Sequence, residues 1–164
     1  MKKKIISIGI GEFYVAKAPA VLITHNLGSC VGVALYDRWS RIGGLAHITL
    51  PSYKSFGDKR KNDARFADVA IFLMIERMKE MGAREGFIVA KIAGGADMFG
   101  LSPGVPDSFD IGRENIEAVR FCLQKQGINI AGEEVLGKVP RTMEFDLNTG
   151  KVFLKTFGRK VKVL

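Results

Sequence analysis

Val31-Gly32-Val33-Ala34-Leu35-Tyr36, then Asp37-Arg38-Trp39-Ser40-Arg41, then Ile42-Gly43-Gly44-Leu45-Ala46-His47-Ile48-Thr49-Leu50: two apolar runs with β-branched members flank a polar segment. That pattern predicts a β-hairpin. With the turn centred between Arg38 and Trp39, Cys30 faces His47, and directly opposed side chains share one face with Cβ atoms about 4.5–5.5 Å apart. Thiol and imidazole at that spacing can form a nucleophile–base pair. A slip of one residue would send the histidine to the other face, so the register decides the chemistry.

The neighbours of Cys30 suit that role. Gly28-Ser29 is a turn dipeptide immediately before the thiol, and such a turn can aim successive backbone N–H groups at one point, as an oxyanion hole requires. A nearby imidazolium is expected to lower the thiol pKa from its usual value of about 8.5. Thr24 ends the apolar run Ala20-Val21-Leu22-Ile23, and its hydroxyl can orient the imidazole. His25 is the rival base, but strand alternation points it away if Thr24 faces the site. Gly28, Ser29, Gly43, Gly44 and Ala46 are small enough to let another chain's backbone approach. Against this, a lone cysteine beside apolar residues is more often inert packing, and a lone strand histidine is more often simply hydrogen-bonded.

Motifs along the whole chain tip that balance. Leu27-Gly28-Ser29-Cys30-Val31, Gly44-Leu45-Ala46-His47 with Leu50-Pro51, Lys91-Ile92-Ala93-Gly94-Gly95-Ala96-Asp97-Met98-Phe99, Ile111-Gly112-Arg113-Glu114-Asn115 and Thr149-Gly150 together resemble the CheD family of bacterial and archaeal chemotaxis proteins. The resemblance implies a chemoreceptor glutamine deamidase with a Cys30, His47 and Thr24 triad, and a fold similar to the catalytic domain of the cytotoxic necrotizing factor toxins. It also implies glutamines of methyl-accepting chemoreceptors as substrate and a CheC-type phosphatase as partner. The alternative is a regulatory module that docks such a phosphatase with little turnover of its own. Gly28, Ser29 and Gly44 are the expected oxyanion and substrate-binding positions.

Composition bounds the rest. The 164 residues, 47% of them apolar, suit a single domain over 1–164 with a sizeable core. The basic start Met1 to Lys4 precedes too short an apolar stretch for a signal peptide, and no run of about 18 apolar residues occurs. A cytoplasmic protein without membrane insertion is expected. Two cysteines suit a reducing compartment. Neither Cys-x-x-Cys nor His-x-x-x-His occurs, and neither Gly9-Ile10-Gly11 nor Gly94-Gly95 fits a phosphate loop, so no metal and no cofactor are expected. The net charge of +8 is scattered and lacks interleaved aromatics. It fits a solvated surface or an acidic protein partner better than nucleic acid.

The remaining elements follow from periodicity. Ser52 to Lys61 is polar and basic, a loop near the site mouth. A helix capped by Asn62 or Asp63 is expected to run to Met81 and stop at Gly82, burying Ala67, Ile71, Met74, Met78 and Met81. Phe87–Ala93 reads as a buried strand, with Gly94-Gly95 allowing a close backbone approach, either for substrate or for packing. Gly100 to Phe109 reads as an irregular loop. A second helix, about Gly112 to Gln126, stops at Gly127 and buries Ile116, Val119 and Leu123 beside an inert Cys122. Strands at 128–131, 142–147 and 151–157 follow, the last two joined at Asn148-Thr149-Gly150. The architecture expected is α+β, a sandwich-like β core with two helices packed against it.

Overall fold

In the computed structural model, residues 2–52, 63–98 and 110–164 are described. The chain begins with β1 (Lys4–Ser7), β2 (Phe13–Lys17) and β3 (Ala20–Leu27), and the hairpin of β4 (Val31–Asp37) and β5 (Ile42–Ile48) follows. Next come α1 (Ala67–Glu80), a 3-10 turn at Glu85–Phe87, β6 (Ile88–Gly94) and α2 (Ile111–Lys125). β7 (Ile130–Val135), β8 (Arg141–Asp146), β9 (Lys151–Lys155) and β10 (Lys162–Val163) complete the fold. The loops anticipated over 52–61 and 100–109 lie outside the described residues, apart from Ser52.

Two five-stranded mixed sheets form among the described residues, in the orders β1-β3-β8-β9-β10 and β2-β5-β4-β6-β7. Their inner faces share one core: Leu22, Met143 and Phe145 of the first sheet meet Ala34, Tyr36, Leu45 and Ala93 of the second. The outer face of the second sheet carries Val31, Val33, Leu35, Ala46, Ile48 and Ile92 and packs on both helices. β4 and β5 therefore sit in the middle of a β/β/α stack. Every residue of both strands is buried, which explains why their sequence reads as unbroken apolar runs instead of alternating ones. The α+β class and the two covering helices match the expectation.

The hairpin register is shifted by two residues. Its turn is centred between Trp39 and Ser40, and Gly32, not Cys30, lies opposite His47. Asp37 causes the shift: its carboxylate accepts the Trp39 and Ser40 N–H groups at 2.9 and 3.5 Å and the Ser40 hydroxyl at 2.9 Å, so the loop takes in all of Arg38 to Arg41. A shift of two conserves the face, because side-chain alternation has period two.

Both helices bury the anticipated stripes except at Met81, which caps α1 half-buried instead of lying in it, and their beginnings differ. α1 starts at Ala67, with Phe66 as its N-cap residue. The Asp63 carboxylate accepts from the Arg65 N–H and guanidinium instead of capping the helix. α2 begins one residue before Gly112 because Asp110 caps it, accepting from the Arg113 N–H at 3.1 Å. Gly82 and Gly127 end the helices with positive φ, as expected. β1 and β2 were not anticipated, since β1 exposes most of its short length and β2 buries only Val15.

Candidate active site

Three segments meet where the two sheets join. Thr24 comes from β3 in the first sheet and His47 from β5 in the second, while Cys30 lies on the connection that crosses between them. Thr24 and His47 are buried, and Cys30 is half-buried. The strand β3 breaks its ladder with β8 between Thr24 and Leu27, and Asn26 takes a positive φ of 56°. That bulge turns the chain out of the first sheet towards β4. His25, next to Thr24, is exposed, with its Nδ1 3.5 Å from the Thr142 hydroxyl, so it points away from the Thr24 side as alternation requires.

Hydrogen bonding defines the imidazole tautomer. The Thr24 hydroxyl lies 2.7 Å from His47 Nδ1 and 2.9 Å from the Ile8 carbonyl oxygen. A carbonyl can only accept, so the single hydroxyl proton goes to Ile8 and Nδ1–H donates to Thr24 Oγ1. Nε2 is left with a lone pair. It is buried and has no hydrogen-bond partner among the described residues. The backbone of His47 is fixed as well, its N–H donating to the Glu12 carbonyl at 2.9 Å and its carbonyl accepting from Gly11 at 3.0 Å.

The turn before the thiol is held by its carbonyls. Gly28 O accepts from Ala96 N–H at 2.8 Å, Ser29 O from Asn115 Nδ2 at 3.0 Å, and Cys30 O from Gly95 N–H at 2.8 Å. In a planar trans peptide the N–H points opposite to the C=O. Tethering the Gly28 and Ser29 carbonyls therefore sets the direction of the Ser29 and Cys30 N–H groups; burial raises the pKa of the Cys30 thiol, and its own N–H offsets part of that rise. The Gly28 N–H is occupied by the Asn26 carbonyl at 2.9 Å.

Gly94-Gly95, which the sequence left between substrate contact and packing, supports this turn. A Cβ on Gly94 would run into the Cys30 carbonyl, and one on Gly95 into Ile116.

Gly44 is not part of this constellation. It lies on the helix-facing side of β5, where a Cβ would meet Met74 Cγ at 2.6 Å and Val15 Cγ2 at 3.1 Å. Gly43 similarly makes room for Leu147 and Phe145, and Ala46 is buried in the helix-side core. These small residues serve packing between layers, not an open mouth. Gly28 does adjoin the surface, with the half-exposed Met98 side chain resting where its Cβ would be.

The two pKa shifts run against the lowered thiol pKa expected beside an imidazolium. Burial pushes the Cys30 thiol up, with its own N–H opposing in part, and burial pushes the His47 imidazole down. Both changes favour the neutral pair. Cys122 is half-buried on α2 with a pKa pushed up to about 11, chiefly by burial. No group of three or more His, Cys, Asp or Glu side chains among the described residues could hold a metal ion.

Sequence reasoning gave no role to Asn115, fully buried and bonded to both Ser29 and Thr49, or to Ile8. A signal for Asn115 existed: it lies four residues before Val119, on the apolar stripe of α2.

The described residues form two packed sheets, with a hydrogen-bonded threonine–histidine pair joining them and a half-buried cysteine on the connection from β3 to β4. Residues 49–156 match the family model described as CheD chemotactic sensory transduction. A protein of Moorella thermoacetica named "Probable chemoreceptor glutamine deamidase CheD" is 46% identical over 164 residues, covering 100% of this chain and 98% of that protein. A protein of the same printed name from Clostridium botulinum (strain Hall) is 44% identical over 162 residues, covering 99% of each. The chain belongs to the CheD family. The family model begins after His47, whereas both relatives extend across Thr24, Cys30 and His47.

Proposed function

We propose that this protein deamidates glutamines of methyl-accepting chemoreceptors through a cysteine thioester, as the names of its relatives and the arrangement of Cys30, His47 and Thr24 support. The single observation that carries the chemistry is the buried Nε2, unpartnered among the described residues, of a histidine whose Nδ1–H is held by Thr24. Leaving a buried acceptor unsatisfied costs about 1–3 kcal/mol, a cost that a pure docking module for a CheC-type phosphatase has no reason to carry.

The reaction balances on these groups. The Cys30 proton passes to His47 Nε2 as sulfur attacks the side-chain carboxamide carbon and forms a C–S bond. The oxyanion is held by the Ser29 and Cys30 N–H groups. Collapse breaks the C–N bond, and the Nε2 proton goes to the leaving nitrogen, which departs as ammonia. Water then attacks the thioester, losing a proton to Nε2. Cleavage of the C–S bond leaves glutamate, and the proton returns to sulfur.

Intact-mass and peptide analysis of a chemoreceptor cytoplasmic fragment incubated with the protein tests this directly. Wild type should convert specific glutamines to glutamates with equimolar ammonia, Cys30→Ala should convert none, and Cys122→Ser should keep wild-type turnover. Undiminished ammonia release by Cys30→Ala removes the thioester. An inactive Cys122→Ser would mean that the other cysteine is the nucleophile.

A further inference from the structure

Asn115 is one of two residues whose buried side-chain N or O atoms lack a partner among the described residues, the other being His47. Its side chain is 0% exposed, on an α2 face otherwise lined by Ile116, Val119 and Leu123. An amide on an apolar stripe is costly unless it is used. Nδ2 donates to Ser29 O and to Thr49 O, both at 3.0 Å. Carbonyl oxygens accept only, so the amide cannot be turned around, and its Oδ1 is left facing away from both without a partner.

These two carbonyls belong to the two halves of the site. Ser29 C=O shares its peptide plane with the Cys30 N–H, so a donor on that oxygen holds the N–H pointing away from Asn115. Donation to the carbonyl also polarises the peptide and makes that N–H a stronger donor. Thr49 follows His47 by two residues, just past the end of β5. Of the three tethers on the Gly28 to Cys30 carbonyls, those from Gly95 and Ala96 are backbone groups, and Asn115 supplies the one side chain. It can reach because Gly112, one turn earlier, lies against the Gly95 and Ala96 carbonyls, where a Cβ would be 2.7–2.8 Å from both oxygens.

From this juxtaposition we infer that Asn115 is a positioning residue for the reaction, locking the Ser29–Cys30 peptide so that its N–H is aimed at sulfur and oxyanion, and fixing that turn to the strand of His47. The inference rests on the thioester reading for its kinetic consequence. Its effect on the Cys30 thiol stands apart from any substrate.

Two measurements on the full-length protein test it. In Asn115→Leu, which conserves volume and removes both donors, the pH midpoint for alkylation of Cys30 by iodoacetamide should rise. Turnover of a receptor fragment should fall through kcat by about 100-fold, the scale for a small misplacement of reacting groups, with KM unchanged. If Asn115→Leu does not fold by circular dichroism, Asn115→Ser, whose hydroxyl is too short to span both carbonyls, replaces it with the same expectations. A folded variant with the wild-type alkylation profile overturns the inference. If wild type alkylates normally and never deamidates, the functional reading fails, while the shift between wild type and variant still decides the role of Asn115.

Discussion

A single hydroxyl proton determines what His47 can do. Because Thr24 gives it to Ile8, the imidazole must present Nδ1–H to Thr24 and carry a bare lone pair on Nε2, so the tautomer that the proposed general base requires is built into the ground state. A carboxylate at the Thr24 position would instead favour imidazolium; a hydroxyl fixes the ring without charging it. The His47 pKa is lowered by burial, which sets a sign for stability. Between the folded-state value and the ordinary one of about 6.5, the unfolded chain binds the proton more readily, so stability rises with pH there and is lost as pH falls from about 6.5. Denaturant midpoints should therefore drop on acidification below about pH 6.5. In His47→Gln the dependence should be shallower, by no more than about 1.4 kcal/mol per pH unit, the limit for one proton. Identical pH slopes for the two proteins would show that His47 does not titrate in this way.

Elements position these residues through backbone close approach. The sequence made the β4–β5 hairpin legible through its β-branched runs, yet misplaced its register by two, since the Asp37 side chain organises a four-residue loop that strand patterning does not register. Period-two alternation kept Cys30 on the His47 parity despite the shift. The helix stripes were legible because the 3.6-residue period survives in Ile71, Met74, Met78 and in Ile116, Val119, Leu123. Gly94 was visible only as a place of close approach, because what approaches it, the Cys30 carbonyl, lies 64 positions away in the chain. Gly94 and Gly127 make a controlled pair: both have positive φ, but only Gly94 has a neighbour within contact of a Cβ. Gly127→Ala should cost about 1 kcal/mol from backbone strain alone. Gly94→Ala should cost about 2–3 kcal/mol and also slow Cys30 alkylation, because the strain is relieved by moving the Cys30 turn. Thermal melts and alkylation rates check both; equal effects in the two variants would mean that Gly94 serves its own conformation and not the turn.

At the scale of the whole molecule the candidate site is a product of sheet docking. Thr24 and His47 lie on different sheets, and their separation is set by the hydrogen bond between them, by the segment from Ile8 to Glu12 that bonds to both, and by the shared core of Leu22, Leu45, Met143 and Phe145. The sequence could suggest this through apolar runs in both halves of the chain, but not which strand meets which. The partners of β3 are β1 at the start of the chain and β8 near its end, and β1 has too little burial to leave a pattern. Phe145 is the central test of the arrangement. It is fully buried in β8, opposite Leu22 and two residues beyond the partner of Thr24, and it meets Tyr36 of the other sheet edge-on at 5.6 Å between ring centroids. Phe145→Ala should cost about 3–5 kcal/mol, the range for emptying a buried aromatic site. Phe72→Ala, at an exposed position on α1, should stay within about 0.5 kcal/mol of wild type. Relaxation of the sheets into the space left by Phe145 also changes the Thr24–His47 separation, so the surviving folded Phe145→Ala protein should deamidate more slowly per folded molecule, with the loss in kcat. Chemical denaturation supplies the folded fraction and the receptor-fragment assay the rate. Wild-type turnover per folded molecule in Phe145→Ala would show that the strands hold Thr24 against His47 without help from the core between the sheets.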